Sequence, residues 1–505
     1  MRLFQKEEIK SIEARAMKAG LTEDLLMENA GHSLAKACKD ILQTLNQKAI
    51  VVLVGKGNNG GDGLVAARFL AQEGSKVTVL LAEGRAKLKG STLRNYELLA
   101  HSSVLVKTWP KALKGQTELV KLCLEADLIL DGLLGTGFHG QLKGSYREII
   151  SSLPEELPVL AIDIPSGVEA DTGKADVAIK AQNTVTMLGA KTGLYLYPGA
   201  FYSGRVRVAS LGVPDGLLKA GDGKYHLVTE DIAAEFLPKR RVTAHKGNNG
   251  RIAVWAGAKG YVGAAELTSR AVVRAGGGLV HLMAPEEVVA ILATKLTEVM
   301  VDKRALSCAE ALVATLTSDA LAVGPGLGRD AATAQLLQEF LPQVGMPVVL
   351  DADGLSAFVK KPMLLKAIRH KILTPHPKEL ASLMGVTTKE VVEHPVTMAT
   401  AAAKRFQAVV LLKVVPALVA TAKGDVYVNT SGNEGMATGG TGDVLTGIIA
   451  AFLGQGLELT QATLGAMYVH GRAGDKVGEK GKIGMRASDL VEALPMAIQE
   501  VGVQE

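Results

Sequence analysis

The segment Ala437-Thr438-Gly439-Gly440-Thr441-Gly442-Asp443-Val444-Leu445 concentrates groups that could do chemistry. Three glycines within four positions precede an aspartate, and an apolar run follows from Val444 to Phe452. Glycine lets the backbone turn its N–H groups inward without a side-chain clash. The first N–H groups of a helix lack intrahelical partners and lie at the positive end of its dipole, so such a loop holds anions. An aspartate there opposes plain phosphate binding, because two negative charges would meet. It suits a group that accepts a proton from a hydroxyl while the N–H groups hold the phosphoryl being transferred. The plainer reading is an acid in a first helical turn, favoured by the dipole alone.

A second concentration lies near the N-terminus. The apolar run Ala49–Val54 leads into Gly55-Lys56-Gly57-Asn58-Asn59-Gly60-Gly61-Asp62-Gly63. Gly55, Gly57 and Gly60 satisfy G-x-G-x-x-G, and Glu83 stands where a ribose-binding acid ends the second strand of a dinucleotide fold. The pattern alone is weak. Two carboxamides and a carboxylate crowd the turn, polarity that plain dinucleotide binding does not need. Asp131 closes an apolar run before Gly132-Leu133-Leu134-Gly135-Thr136-Gly137, and Asp163 closes another before Ile164-Pro165-Ser166-Gly167. Singly, each aspartate reads as a turn or cap residue. Together Asp62, Asp131 and Asp163 are expected along one edge of one sheet, where such folds keep their ligands.

The elements that must position these groups alternate. Ala49–Val54, Lys76–Ala82, Asp127–Leu134 and Pro158–Ile164 read as strands, with a helix over Leu64–Gln72. Fully apolar strands separated by helices imply a parallel sheet covered on both faces. Gly212–Lys224 is rich in Gly and Pro and is the candidate linker. Strand-then-helix alternation resumes at Arg251–Ala256 and continues through Leu279–Ala284, Ala320–Val323, Pro347–Leu350 and Lys371–Thr374. The pentapeptide Lys-Gly-Asn-Asn-Gly occurs at 56–60 and 246–250 in different contexts and reads as coincidence.

Composition bounds the rest. At 505 residues two domains are expected. Hydrophobic residues make up 48% and charged residues 21%, which excludes a disordered chain. Net charge is +5, with the densest basic run at Lys239-Arg240-Arg241, so no nucleic acid is expected as partner. Cys38, Cys123 and Cys308 form no CxxC pair, which argues against a disulfide framework and fits a reducing compartment. Residues 1–17 lack the apolar core of a signal peptide. The apolar run 409–422 is too short to span a bilayer and is broken by Lys413 and Pro416. A cytoplasmic location without membrane association is therefore expected, as a homo-oligomer.

The motifs GNNGGDG, DGLLGTG and DIPSGV, in this order, resemble the epimerase domain of the NAD(P)H-hydrate repair enzymes, over most of residues 1–212. The resemblance implies a Rossmann-like three-layer domain that interconverts the R and S hydrates of NADH and NADPH at nicotinamide C6. It implies that Asn58, Asn59, Gly60, Gly61 and Asp62 line the hydrate site with Gly135, Thr136, Gly137, Phe138, His139, Gly140 and Gln141. Asp163 would contact substrate and act as acid–base catalyst, since inverting C6 moves protons at the hydroxyl. Asn59, Asp131 and Ser166 would surround a potassium ion, oxygen ligands suited to a hard cation.

In the second half His245-Lys246-Gly247, Tyr261 to Ala265, Gly324-Pro325-Gly326-Leu327-Gly328, Asp351-Ala352-Asp353, His376-Pro377-Lys378-Glu379 and the GGTGD loop follow in order. This set resembles the ribokinase-like superfamily and, more closely, the ADP- or ATP-dependent NAD(P)H-hydrate dehydratases, over 222–505. That resemblance implies that Ala265, Gly326, His376 and Asp443 contact the hydrate. Lys413, Val414, Val415, Pro416, Ala417 and Gly442 would contact ADP or ATP, with Mg2+. Relatives usually carry Lys-Gly where Val414 follows Lys413. A valine does not adopt positive φ cheaply, so a weakened nucleotide loop is expected. The competing readings are a small-molecule kinase fused to a dinucleotide-binding regulator, and a nucleotide-sensing module without catalysis.

Overall fold

The computed structural model describes residues 1–109, 116–218, 223–240 and 242–502. The chain divides into two compact units, Arg2–Tyr225 and His226–Glu505. Arg241 of the basic run, residues 219–222 of the expected linker and the expected domain start at 222 lie outside the described residues. The beginning of that linker packs on the first unit. Leu211 and Val213 are buried in its core, Asp215–Leu218 is helical, and Asn29 Nδ2 donates to Leu211 O at 2.8 Å.

In the first unit, helices α1 (Lys6–Lys18) and α2 (Glu23–Leu42) precede the main sheet. Its strands are β1 (Ala49–Val54), β2 (Lys76–Leu81), β3 (Leu105–Thr108), β4 (Leu128–Gly132), β5 (Val159–Ile162), β6 (Asn183–Met187) and β7 (Arg205–Ala209). All seven are parallel, in the order β3-β2-β1-β4-β5-β6-β7. Alternate residues enter two cores. Ile50, Val52 and Val54 join one face, and Val51 and Leu53 the other, which is why these strands are apolar throughout. The strand order reverses between β1 and β4, and the crevice at their carboxyl ends is the expected ligand position.

Helix α3 (Asn58–Gln72) begins earlier than its periodicity suggests, inside the Asn-Asn-Gly-Gly-Asp stretch. The glycines explain this. A Cβ on Gly60 would lie 2.1 Å from Gly55 O, and one on Gly61 2.5 Å from Met27 Cε. Only bare backbone lets this first turn press on the strand end and on α2.

The second unit carries β8 (Tyr225–Val228), β9 (Arg251–Trp255), β10 (Leu279–Ala284), β11 (Met300–Lys303), β12 (Ala320–Val323), β13 (Val348–Leu350), β14 (Lys371–Leu373), β15 (Val409–Leu412), β16 (Leu418–Ala420) and β17 (Val426–Asn429). Their order is β8-β17-β16-β15-β14-β13-β12-β9-β10-β11. Pairing is parallel from β15 to β11, whereas β15, β16 and β17 are antiparallel. The apolar run 409–422 is thus a hairpin, turning at Lys413–Ala417 where Pro416 offers no N–H to a ladder. Four helices matter below: α4 (Val262–Arg274), α5 (Pro377–Met384), α6 (Thr441–Gly454) and α7 (Leu459–Gly478). From Val444 to Gly454 every residue of α6 is buried, which accounts for a sequence without polar side chains save Thr446. Among the described residues no helix is long and apolar enough to cross a membrane.

Candidate active sites

A cavity of about 740 Å³ opens at the carboxyl ends of β1 and β4. Its wall includes Asn58, Asn59 and Asp62 from the start of α3, the stretch 135–139 with Gln141 from the loop after β4, and Asp163. Gly60 and Gly61 are buried behind that wall, and Gly140 turns outward to donate its N–H to Glu169 at 3.0 Å. Those three do not line the cavity. Glu83 does not either. It accepts from Tyr146 Oη at 2.9 Å and pairs with Lys56 at 3.6 Å, so it braces the β1 loop.

Asp163 follows β5 with φ of 64°, a left-handed conformation costing a non-glycine residue roughly 1–2 kcal/mol. Its surroundings hold it there. Oδ1 accepts from Met187 N at 2.9 Å, from Thr186 Oγ1 at 3.1 Å and from the fully buried Lys191 ammonium. Lys191 also donates to Thr186 Oγ1 at 3.0 Å and to Met187 O at 2.7 Å. One carboxylate oxygen is therefore anchored, and the residue fronts the cavity.

Asp131 departs from the expected edge of three acids, because it is fully buried and does not line the cavity. Its Oδ2 accepts from Ser166 N at 2.7 Å and its Oδ1 from Ser166 Oγ at 2.6 Å. Burial pushes it up to about 6, against these bonds. Ser166 Oγ in turn accepts from Leu134 N at 2.8 Å, and Asn59 Nδ2 donates to Leu134 O at 2.9 Å. Asn59 and Ser166 thus meet at the backbone of Leu134, and Asp131 joins them through Ser166.

Several wall residues escape a motif-based reading. Lys10, Glu13 and Met17 come from α1, and Glu23 and Met27 from α2. A signal existed for one of them. Ile9, Ile12 and Ala16 form the buried stripe of α1, and Glu13 occupies the position within that stripe where an apolar residue belongs. Burial, then the Asp163 charge, raises Glu13; burial, then Asp163 and Glu13, hold Asp62 well above the usual carboxylate range. Lys191 offered no signal at all.

In the second unit the expected groups gather at the carboxyl ends of parallel strands. Asp351 follows β13, His376 follows β14, Lys413 follows β15, and the loop after β12 meets the loop after β9 through Gly257 N donating to Pro325 O at 2.9 Å. Gly440, with φ of 94°, caps α6, and Asp443 stands in its first turn. Asp351, nearly inaccessible, accepts from Lys413 Nζ at 2.6 Å and from Thr446 Oγ1 at 2.8 Å. The Lys413 ammonium lies 3.3 Å from where a Cβ on Gly442 would be, so it sits against the open end of α6. Burial and the Asp351 charge push Asp443 up to about 6, with Lys413 opposing. Burial pulls Lys413 down, but Asp351 and Glu379 outweigh it and hold the ammonium above its ordinary value.

The other expected residues are placed less directly. His376 caps α5, its Nδ1 accepting from Lys378 N at 3.2 Å, while Glu379 Oε2 accepts from His376 N at 2.9 Å. Its Nε2 lies 3.3 Å from Glu379 Oε1. Gly326, with φ of 58°, admits Tyr261 and Ala264, whose Cβ atoms would be 2.8 and 2.9 Å from its own. Ala265 is fully buried beside Gly257 and offers a ligand no surface, because α4 turns that residue into the core. Val414 is not at positive φ, so the feared backbone conflict is absent; Val415 is exposed, and Ala417 O accepts from Asn429 N at 3.0 Å. Sequence reasoning missed His470 on α7. Its Nε2 lies 2.9 Å from Thr441 O, and burial lowers it to about 4, so it is neutral and donates to that carbonyl.

Comparison with known proteins accords with two such sites. Residues 23–193 match the family model described as YjeF-related protein N-terminus, and residues 252–496 match the model described as NAD(P)H-hydrate dehydratase. The bifunctional NAD(P)H-hydrate repair enzyme of Moorella thermoacetica is 38% identical over 94% of this chain and 92% of its own length. That of Escherichia coli is 34% identical over 94% of this chain and 89% of its own. Among solved structures, the ADP/ATP-dependent NAD(P)H-hydrate dehydratase of Bacillus subtilis, co-crystallised with ATP and Mg2+, is 29% identical with a TM-score of 0.50, covering 55% of this chain and 98% of its own. With relatives of this identity spanning both units, the chain belongs to the bifunctional NAD(P)H-hydrate repair enzyme family.

Proposed function

We propose that this chain repairs hydrated nicotinamide cofactors in two steps, R/S epimerisation at C6 in the unit Arg2–Tyr225 and nucleotide-dependent dehydration of the S form in the unit His226–Glu505. The observation that carries the reading is Asp443 in the first turn of α6, at a helix opening where the Lys413 ammonium also sits. Asp443 takes the proton of the C6 hydroxyl as that oxygen attacks the terminal phosphoryl of ADP or ATP. The N–H groups at the start of α6 and the Lys413 ammonium stabilise the charge that develops. Phosphate then leaves C6, and loss of a proton from C5 restores the reduced ring. Gly326 and His376 would contact the hydrate, and Lys413–Ala417 with Gly442 the Mg2+-bound nucleotide. The kinase-plus-regulator reading loses to this one because both units match repair enzymes in one relative.

The test is incubation with NADH hydrates plus ADP or ATP, following the return of reduced-nicotinamide absorbance. A base raised to about 6 works when ionised, so the dehydration rate should be full above pH 7 and fall as pH drops through about 6. No return of absorbance with either nucleotide contradicts the reading, and a rate flat down to pH 5 contradicts Asp443 as its base.

In the first site Asp163 is the acid–base residue, anchored by Lys191. Asn59, Asp131 and Ser166 would hold a potassium ion. They offer a carboxamide, a carboxylate and a hydroxyl around Leu134 O, and turning the Asn59 amide to present its oxygen would complete the donor set a hard cation prefers. The ion would fix the Leu133–Gly137 loop that walls the cavity. Hydrate should therefore raise the melting temperature of the first unit more in potassium than in tetramethylammonium buffer. An equal rise in both, on a chain that binds hydrate, contradicts the potassium assignment.

A further inference from the structure

Two carboxyl groups in the first cavity are unexplained by Asp163 chemistry alone. Asp62 extends from the second turn of α3 and Glu13 from α1, and both line the wall that Asp163 also lines. Neither makes a hydrogen bond among the described residues. The cation that could offset them is already committed. All three N–H bonds of the Lys191 ammonium are used, on Asp163, Thr186 and Met187. Four carboxyls thus line one cavity: Glu23 accepts from Asn58 Nδ2 at 2.9 Å, Asp163 is bonded to the buried ammonium, and Asp62 and Glu13 have neither kind of partner.

The groups acting on Asp62 are Asp163 after β5, Glu13 on α1, Glu23 on α2 and Lys191. Lys10, Lys56, His139 and Lys143 line the same cavity. Burial and the charges of Asp163 and Glu13 favour the protonated form of Asp62, whereas Asp163 is the acid bonded to the Lys191 ammonium. An unbonded carboxyl and a carboxyl bonded to an ammonium, lining one cavity, are placed to serve as acid and base.

Resting on the epimerase reading, we propose that Asp62 is a second catalytic residue of this site, giving its proton to the departing C6 hydroxyl while Asp163 takes one from water entering the opposite ring face. Glu13 is a positioning residue that acts through Asp62. The C6–O bond breaks, its electron pair leaves with the oxygen, and the Asp62 proton completes a water molecule. The ring nitrogen lone pair forms a C6=N1 iminium. A second water adds to C6 from the other face and its surplus proton passes to Asp163. One water is released and one consumed, the two carboxyls exchange roles for the reverse direction, and proton exchange with solvent in the open cavity returns both to their starting forms between turnovers in one direction. Inversion follows because hydroxyl leaves one face and returns on the other.

Helix α1, which brings Glu13, lies outside residues 23–193 of the family match but is pinned to the unit. Gln5 Nε2 donates to Thr192 Oγ1 at 2.7 Å, Lys6 N to Asp171 Oδ1 at 2.6 Å, and Arg15 to Leu217 O at 2.5 Å. Glu13 is thereby held in the wall of the cavity that Asp62 also lines.

The experiment uses the full chain with purified S hydrate and no nucleotide, reading R/S interconversion from pH 5 to 9. Asp62→Asn should lower the rate by on the order of 10²–10⁴-fold while hydrate still raises the melting temperature. Glu13→Gln should move the alkaline limb of kcat/KM to lower pH, because Asp62 ionises sooner without that negative neighbour, and Glu13→Asp should restore it. A parent chain active beside an Asp62→Asn variant of equal rate overturns the proposal. So does an Asp62→Asn variant that has lost hydrate stabilisation along with rate, which makes the residue a binding contact. An even fall in Glu13→Gln with an unmoved limb overturns the positioning role. A parent chain that does not interconvert the hydrates overturns instead the epimerase reading beneath.

Discussion

Asp443→Asn is expected to abolish nucleotide-dependent recovery of reduced nicotinamide while leaving R/S interconversion at the parental rate. The asparagine keeps the size of the side chain at the opening of α6 but accepts no proton. Loss of a positioned base alone is worth on the order of 10²–10⁴-fold. Here the base also faces the phosphoryl acceptor, and its raised value of about 6 shows how strongly burial and Asp351 act on it. The epimerisation site is built on a different sheet from different loops, so nothing in it depends on Asp443. Dehydration by the variant is read with ATP and S hydrate, and interconversion without nucleotide. A folded variant that has lost both activities contradicts the assignment of one reaction to each unit.

Asp163→Asn is expected to show the converse: interconversion lowered by on the order of 10²–10⁴-fold, with dehydration of S hydrate unchanged. The neutral amide leaves the Lys191 ammonium buried without its counter-ion. Removing one partner of a buried ion pair costs several kcal/mol, about 3–5. A fall in melting temperature of the first unit should therefore accompany the loss of rate. Hydrate-induced stabilisation separates the two effects, since it persists if the site is folded and only proton transfer is gone. An Asp163→Asn variant interconverting at the parental rate reduces this residue to a turn held by Met187 and Thr186.

The strands were legible because buried parallel strands are apolar from end to end. Ala49–Val54, Leu279–Ala284 and Ala320–Val323 coincide with their sequence readings for that reason. The start of α3 was not legible. Asn-Asn-Gly-Gly-Asp reads locally as loop, and only the pressure of that turn on Gly55 and Met27 makes it helical. Asp163 and Asp443 could be picked out because a strand end and a helix opening are recognisable in one dimension. Lys191 and His470 could not, since each reaches its partner only through the tertiary fold. Asp131 illustrates a different shortfall. Its position at a strand end was correctly read, yet which way a strand-end side chain turns depends on Ser166, a loop away. The expectation at Val414 rests on what glycine does in relatives, whereas the hairpin here turns without positive φ at that residue.

The central claim, two sites on one chain acting in sequence on one substrate, is tested most directly with purified R hydrate and ATP. The parent chain should return reduced nicotinamide faster than the spontaneous interconversion of the hydrates allows. Asp163→Asn alone should be held to that spontaneous rate, and Asp443→Asn alone should return nothing. An equal mixture of the two variants should recover the faster return, because the S hydrate made by one is consumed by the other. Fast return from R hydrate by the Asp163→Asn chain, or no recovery on mixing, contradicts the account.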